Sequence, residues 1–432
     1  MRLRVLLVNP WIYDFAATDL WSRPLGLMRV AECLSGFDMD LSFIDCCISS
    51  GSGSFGKGKY PKEEVNRPVC LKGIPRVYGR YGISVDDFRN ELQGKAPFDI
   101  VFVTSIMSYW YPGVQKVIGM LREMRRDMPI VLGGIYATLW HRHALETSGA
   151  DYVHTGQLGE EISVILNTFG FRVKRRGASL PFHRLPIHRP HPFWPLLTSS
   201  GCPYSCSYCG SGLLNRTFVQ RPAEEVVREI RERHHEGIRD FVLYDDALLF
   251  DADAHIKPIL RGVIDSGISA RFHCPNGLHA RFIDNGLAGL MKAAGFTTLR
   301  LGLETLNERR QGETGGKVSS SDFERAVVSL RKNGFAKQEA GAYLMYGLPG
   351  QGLDEVKHGV DFLRQLDVRI HLTEYSPIPG TRCWEELAAE GIVGHNTDPL
   401  LTNNTIFSYL HSGYDPEELD RIRLSVKTHN AL

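Results

Sequence analysis

From residue 196 onward the chain repeats one unit six times: a short apolar run of strand character, a turn, then a helix-like stretch. The strand candidates are Leu196–Ser199, Phe241–Tyr244, Ala270–His273, Thr298–Leu301, Gly341–Met345 and Arg369–Glu374, with amphipathic segments such as Ala223–His234 and Ser321–Lys332 between them. Strands joined through helices run parallel, because a long crossover is needed to return the chain to the same end of a sheet. Six such units over 196–390 predict a partial (β/α)6 barrel of the TIM type, two units short of the closed form. Barrel chemistry sits at the C-terminal ends of the strands, so functional residues are expected in the segments that follow each strand.

Residues 1–170 alternate in the same way. Arg4–Val8, Leu41–Asp45, Ile100–Thr104 and Ile130–Leu132 read as strands, and Leu25–Leu34, Asp86–Leu92 and Val114–Arg126 as helices. This is the pattern of an α/β, Rossmann-like domain with a parallel sheet. Gly51–Gly82 is rich in Gly and Lys without periodicity and reads as a long excursion. Residues 171–195, rich in Arg, His and Pro, read as an irregular linker. A tail over 391–432 carries one helix near Pro416–Lys427, and its His395, His411 and Tyr414 are candidates to cover the barrel mouth.

Lys plus Arg number 50 against 49 for Asp plus Glu, so the charge balance predicts neither nucleic acid nor an anionic membrane as partner. The opening MRLRVLLVNP has too short an apolar run for a signal peptide, and no stretch is long enough to span a bilayer. The nine cysteines are an odd number, and three of them fall within Cys202–Cys209. That distribution argues against a secreted disulfide framework and for metal binding in a reducing cytoplasm.

The segment Gly201-Cys202-Pro203-Tyr204-Ser205-Cys206-Ser207-Tyr208-Cys209-Gly210 directly follows the first barrel strand. Four cysteines normally close a cubane iron–sulfur cluster; three in one loop leave one iron open to a small molecule. A structural zinc site is the alternative, but it wants four ligands in two pairs, and His191 supplies no usual spacing. Cys274 and Cys383 lie outside the triad and read as small buried hydrophobes.

Cys-x3-Cys-x-aromatic-Cys at this place resembles the radical S-adenosylmethionine (SAM) superfamily. The resemblance implies a 4Fe-4S cluster on Cys202, Cys206 and Cys209, whose open iron binds SAM, with Tyr208 near the adenine. It implies that Asp245, in Tyr244-Asp245-Asp246 after the second strand, helps hold the SAM amino group; the plainer reading of these aspartates is helix capping. Glu304, in Gly302-Leu303-Glu304-Thr305 after the fourth strand, matches a Gly-x-Glu-(Ser/Thr) that reaches the ribose or methionine part of SAM. An ion pair with Arg300 is the plainer reading there. Gly347 and Gly350, in Gly347-Leu348-Pro349-Gly350-Gln351 after the fifth strand, resemble the adenine-contacting stretch. Tyr375–Thr381 resembles a further segment of the same branch.

In the first domain, Ser105-Ile106-Met107 and Gly133-Gly134 follow two successive strands and resemble the Ser-x-Leu and Gly-Gly pair of cobalamin-binding domains. Ser105, Met107, Gly133 and Gly134 are therefore the cobalamin candidates, and Gly156–Glu160 resembles the end of such a domain. The Asp-x-His-x-x-Gly loop of cobalamin mutases is absent: Asn9–Asp14 contains no His. The resemblance thus implies a cytoplasmic, cobalamin-dependent radical SAM methyltransferase. It would act on an unactivated carbon of a small molecule or peptide and take electrons from a donor such as flavodoxin or ferredoxin. Cobalamin-linked cyclisation, ring contraction or oxidation is compatible with the same residues, as is a cluster-only enzyme with a degenerate first domain. Outside enzymes, an iron–sulfur electron-transfer module would leave Glu304 and the glycine loop without a role. A methylthiolating tRNA enzyme is disfavoured, since Cys33, Cys46, Cys47 and Cys70 lack the spacing of a second cluster.

Overall fold

The computed structural model describes residues 2–52, 57–159, 161–185, 187, 192–313 and 315–431. The chain forms two compact units, Met1–Pro190 with Asp398–Leu401, and His191–Thr397 with Thr402–Leu432.

In the first unit, β1 (Leu3–Asn9), β2 (Met39–Asp45), β3 (Ile100–Val103), β4 (Ile130–Leu132) and β5 (Tyr152–Val153) form one parallel sheet in the order β5-β4-β3-β1-β2. Val5 to Val8 are fully buried, as expected of a central parallel strand covered on both faces. Helices Leu25–Ser35, Val85–Lys95 and Tyr111–Met124 supply the crossovers. The second of these starts at a capping box in which Ser84 and Asp87 satisfy each other's backbone N–H groups. The sheet runs from β1 to β2 in one direction and to β3 in the other, which puts the switch point between β1 and β3.

The excursion after β2 is more regular than its composition suggested. Lys62–Glu64 pairs antiparallel with Gly79–Tyr81, which pairs in turn with Ile12–Asp14; Thr18–Leu20 pairs with Lys57–Lys59. Three-residue strands are too short to leave a periodic signal, so the pattern could not announce them. Ile12, Tyr60 and Tyr81 make a small core of their own.

In the second unit, β6 (Phe193–Leu196), β7 (Asp240–Leu243), β8 (Arg271–His273), β9 (Phe296–Glu304), β10 (Ala340–Tyr346) and β11 (Arg369–Glu374) pair in sequence order, all parallel. The first strand is a correction: it spans Phe193–Leu196, not Leu196–Ser199, and so includes residues read as linker. Pro195 misled that reading. β6 has a single neighbour, β7, so an edge position tolerates a residue with no N–H to donate. On the helix-facing side, Phe241, Phe272 and Phe296 stack across three strands with centroids 5.6 and 5.4 Å apart. The inward face is polar: His273 bonds Asp240 at 2.9 Å and Thr298 at 3.0 Å.

The tail carries the expected helix, Pro416–Ala431, and a second one, Asn404–His411. Asn430 uses its side-chain amide twice on β11, accepting from the Ile370 N–H and donating to the Ile370 carbonyl, both at 2.8 Å. The amide thereby pairs an edge that has no further strand. No helix among the described residues is long and apolar enough to cross a membrane.

Candidate active site at the strand ends of the second unit

After β6 the chain makes a short antiparallel contact, Ser199–Ser200 with Val219–Gln220, and turns at Gly201 with φ +78°. A Cβ there would lie 2.5 Å from the Thr217 carbonyl oxygen, so only glycine fits the entry to the cysteine loop. The loop closes by the Cys209 N–H donating to the Cys206 carbonyl at 3.1 Å. Cys202, Cys206 and Cys209 are all half-buried and none is in a disulfide. Burial pushes the Cys206 thiol up to about 11 and raises Cys202 as well, with neighbouring thiols adding to both. Cys202 and Cys206 hold their protons until a cation draws the thiolates out. The Cys209 sulfur also accepts from the Ser211 N–H at 3.5 Å.

Asp245 and Asp246 stand in different surroundings. Asp245 is buried and accepts from the Thr198 and Ser199 hydroxyls at 2.6 Å, and from both their backbone N–H groups. Neither a free ligand nor a helix cap, it ties the end of β7 to the strand leading into the cysteine loop. Asp246 is the half-buried member that lies within electrostatic reach of Cys202 and bonds Ser211; burial raises its carboxyl.

Glu304 ends β9 at a β-bulge, with a left-handed φ of +64°. The bulge and the positive φ turn its carboxylate back over Gly302, where a Cβ would lie 2.9 Å from Oε1. That is the physical content of the Gly-x-Glu spacing: the glycine makes room for the carboxylate two residues on. The partner of Glu304 is Lys317, not Arg300. Lys317 Nζ lies 3.0 Å from Glu304 Oε1 and donates to the Tyr208 hydroxyl at 2.8 Å. Burial works against the Lys317 charge, but Glu304 and Tyr208 outweigh it and hold the ammonium well above its ordinary range. Tyr208 is pushed up by burial first and by Glu304 second, so its hydroxyl keeps its proton. Tyr208 thereby links the cysteine loop to the end of β9. Sequence reasoning missed Lys317, which follows Gly315-Gly316 in a loop and looks like any solvent-facing lysine.

The segment after β10 is a tight turn in which the Gln351 N–H donates to the Leu348 carbonyl at 3.0 Å, with Gly347 at φ +83° and Gly350 at φ +64°. The Gly347 N–H donates to the Tyr414 hydroxyl at 3.2 Å, and that hydroxyl donates to the Gln351 carbonyl at 3.0 Å. A Cβ on Gly347 would lie 2.4 Å from Ser408 Oγ. The small residue at 347 thus admits the tail. Tyr414 does meet this loop, as suspected of the tail, whereas Gly350 has only Arg310 within 4 Å of its would-be Cβ.

In the first unit, Ser105 and Gly133 come together across the ends of β3 and β4, where the Ser105 hydroxyl donates to the Gly133 carbonyl at 2.8 Å. Gly134, at φ +96°, lets the backbone of Ser105 approach: a Cβ would lie 2.3 Å from the Ser105 carbonyl oxygen. Gly133 has open space where a side chain would stand, and Met107, two residues after Ser105, is half-buried. Glu160, of the Gly156–Glu160 segment, and His191 lie outside the described residues.

The sequence pattern of the radical SAM superfamily matches residues 196–363. An uncharacterized methyltransferase of Pyrococcus horikoshii is 26% identical over 205 residues, 47% of this chain and 43% of its own length. A tryptophan 2-C-methyltransferase of Streptomyces laurentii is 26% identical over 216 residues, 46% of this chain and 34% of its own. The chain spans less than half the length of these two relatives. The methyltransferase TsrM of Kitasatospora setae, solved with cobalamin and a [4Fe-4S] cluster bound, superposes with a TM-score of 0.65 at 19% identity, over 90% of this chain and 75% of that one. The likeness establishes a common fold.

Proposed function

We propose that this chain is a cobalamin-dependent radical SAM enzyme that methylates an unactivated carbon, a reading supported by the match of residues 196–363 to the radical SAM superfamily pattern. The observation that carries the reading is the hydrogen-bonded run from the cysteine loop through Tyr208 and Lys317 to Glu304. It puts three thiols, a buried cation and a buried carboxylate at one end of a partial barrel. The cluster and SAM would supply a 5′-deoxyadenosyl radical, and cobalamin a transferable methyl group.

The residues present fit those groups. Cys202, Cys206 and Cys209 are three thiols without disulfides in one loop, a donor set that leaves one iron for SAM. Glu304 accepts hydroxyl hydrogens, Asp246 is placed to take an ammonium group, and Gly350 keeps the backbone open to a flat ring. Asp245 drops out of the ligand set, because its oxygens are already occupied by Thr198 and Ser199. In the first unit, the open space at Gly133 and the rotatable Ser105 hydroxyl suit the nucleotide tail of cobalamin, with Met107 and Gly134 shaping the groove at the ends of β3 and β4. The absence of His from Asn9–Asp14 leaves no protein imidazole for cobalt on that loop, which favours methyl transfer over mutase chemistry. A reducing cytoplasm and an external one-electron donor such as flavodoxin or ferredoxin complete the requirements.

The test is the iron and cobalamin content of protein made with cobalamin supplied and purified without oxygen, followed by assay for 5′-deoxyadenosine under strong reductant. About four irons and one cobalamin per chain, with SAM cleavage, support the reading. Iron with no cobalamin after reconstitution would sink methyl transfer. Iron without SAM cleavage would leave an electron-transfer module.

A further inference from the structure

The register of the barrel sheet places Arg300 on β9, Gly341 on β10 and Arg369 on β11 in one cross-strand row. Residues directly opposite in a parallel sheet share a face, and two interstrand spacings put the two arginine backbones only about 10 Å apart. Gly341 contributes no side chain of its own there, and the His371 ring lies over it, its Cδ2 and Nε2 each 2.8 Å from where a Cβ would stand. The next row upward on the same face is Gly302, Tyr343 and His371, and it leads to Glu304. Tyr343, its hydroxyl donating to the Pro275 carbonyl at 2.6 Å, lies within electrostatic reach of both Arg300 and Glu304.

Among the described residues, neither arginine has a carboxylate partner. Arg300 donates only to the Leu299 carbonyl at 2.9 Å, and burial together with the charge of Arg369 works against its own charge. The buried Nε of Arg369 has no hydrogen-bond partner. Elsewhere in this unit half-buried cations are matched: Arg310 by Glu355 at 3.2 Å, Arg423 by Glu374 at 2.9 Å. Two like charges that repel, half out of water and without a counter-ion, are costly unless an anion joins them. A cavity of about 750 Å³ beside β11 is lined by Arg369 together with Thr373, Glu374, Arg423 and Lys427, and Arg300 does not line it. That volume suits a small organic molecule.

We propose that Arg300 and Arg369 form an oxyanion site on the inner face of the barrel sheet, and that it takes the carboxylate or phosphate group of the substrate. Guanidinium forks bind both groups through paired N–H donors, which gives direction as well as charge. The site fixes the anionic end of a substrate below Glu304 and leaves its other end toward the cysteine loop. That the anion belongs to the substrate rests on the radical SAM reading; the oxyanion site itself rests on the two arginines.

The test titrates inorganic phosphate and, separately, acetate into the reconstituted chain by calorimetry at low salt, with Arg300→Gln, Arg369→Gln and Arg369→Lys alongside. One anion per chain is expected, bound about tenfold more weakly by either Gln variant, with Arg369→Lys between them and wild type. The tighter of the two anions identifies the substrate's group. In parallel, phenylglyoxal labelling of wild type, mapped by mass spectrometry, should slow at Arg300 and Arg369 when that anion is present. This arm decides the matter should a variant fail to fold. Equal affinity in wild type and Gln variants, or labelling indifferent to both anions, overturns the proposal. Failure of wild type to cleave SAM would instead overturn the radical reading and leave the anion measurement standing.

Discussion

Lys317 and Glu304 form an ion pair in which both side chains are 9% exposed, at 3.0 Å, and the pair is closed by the Tyr208 hydroxyl. Two buried opposite charges attract strongly but have each lost their hydration, so the pair adds little net stability while its disruption is expensive. Its consequence here is positional: it ties the end of β9 to the cysteine loop.

Lys317→Met leaves Glu304 buried without a counter-charge and is expected to cost about 3–5 kcal/mol in denaturant unfolding. The double variant Lys317→Met, Glu304→Gln should recover much of that loss, since the orphaned charge is gone. A single variant within about 1 kcal/mol of wild type would show that the pair is not intact in solution.

Asp240 predicts a pH dependence. Burial raises its carboxyl, but hydrogen bonds from His273 and Arg271 outweigh that and bring it down from 3.8 to about 2. A depressed folded-state value means stabilisation that is present above the unfolded value and lost as pH falls through the folded one. The stability difference between wild type and Asp240→Asn should therefore be full at neutral pH and shrink as pH falls from about 4 toward about 2. A difference that stays constant over that range would show that the ionised carboxylate is not its source.

Asn430→Ala removes two hydrogen bonds and leaves the Ile370 N–H and carbonyl at an uncovered strand edge. A loss of about 1–3 kcal/mol is expected. Light scattering should also show more self-association, because an open edge is a template for pairing.

Gly347→Ala meets two obstacles, a left-handed φ of +83° and the Ser408 side chain. The cost should be about 1–3 kcal/mol. Adding Ser408→Gly should return only the steric part, since the backbone strain remains. Full recovery would mean that φ at this position relaxes freely.

The parallel architecture was legible because it rests on repetition: strand-length apolar runs and amphipathic helices recur along the chain, and local chemistry alone sets them. The cysteine loop was legible for the same reason, its three thiols lying within one turn of chain. Gly302-Leu303-Glu304 and Gly347–Gln351 could be picked out as motifs, although their physical reasons appear only in space. One glycine makes room for a carboxylate two residues away, the other for Ser408 sixty-one residues away.

What the amino-acid order determined by itself, then, was the strand and helix beat, the donor loop and the positions of the turns, all of them short-range. Tertiary structure decided which charges meet. It gave Glu304 to Lys317 instead of Arg300, occupied Asp245 with Thr198 and Ser199, and left Asp246 beside the cysteine loop. It made an edge strand of Phe193–Leu196 despite Pro195, and set Arg300 and Arg369 across Gly341. The physical reason is common to all: a side chain's partner depends on sheet register, bulges and burial, and these come from contacts between residues far apart in the chain.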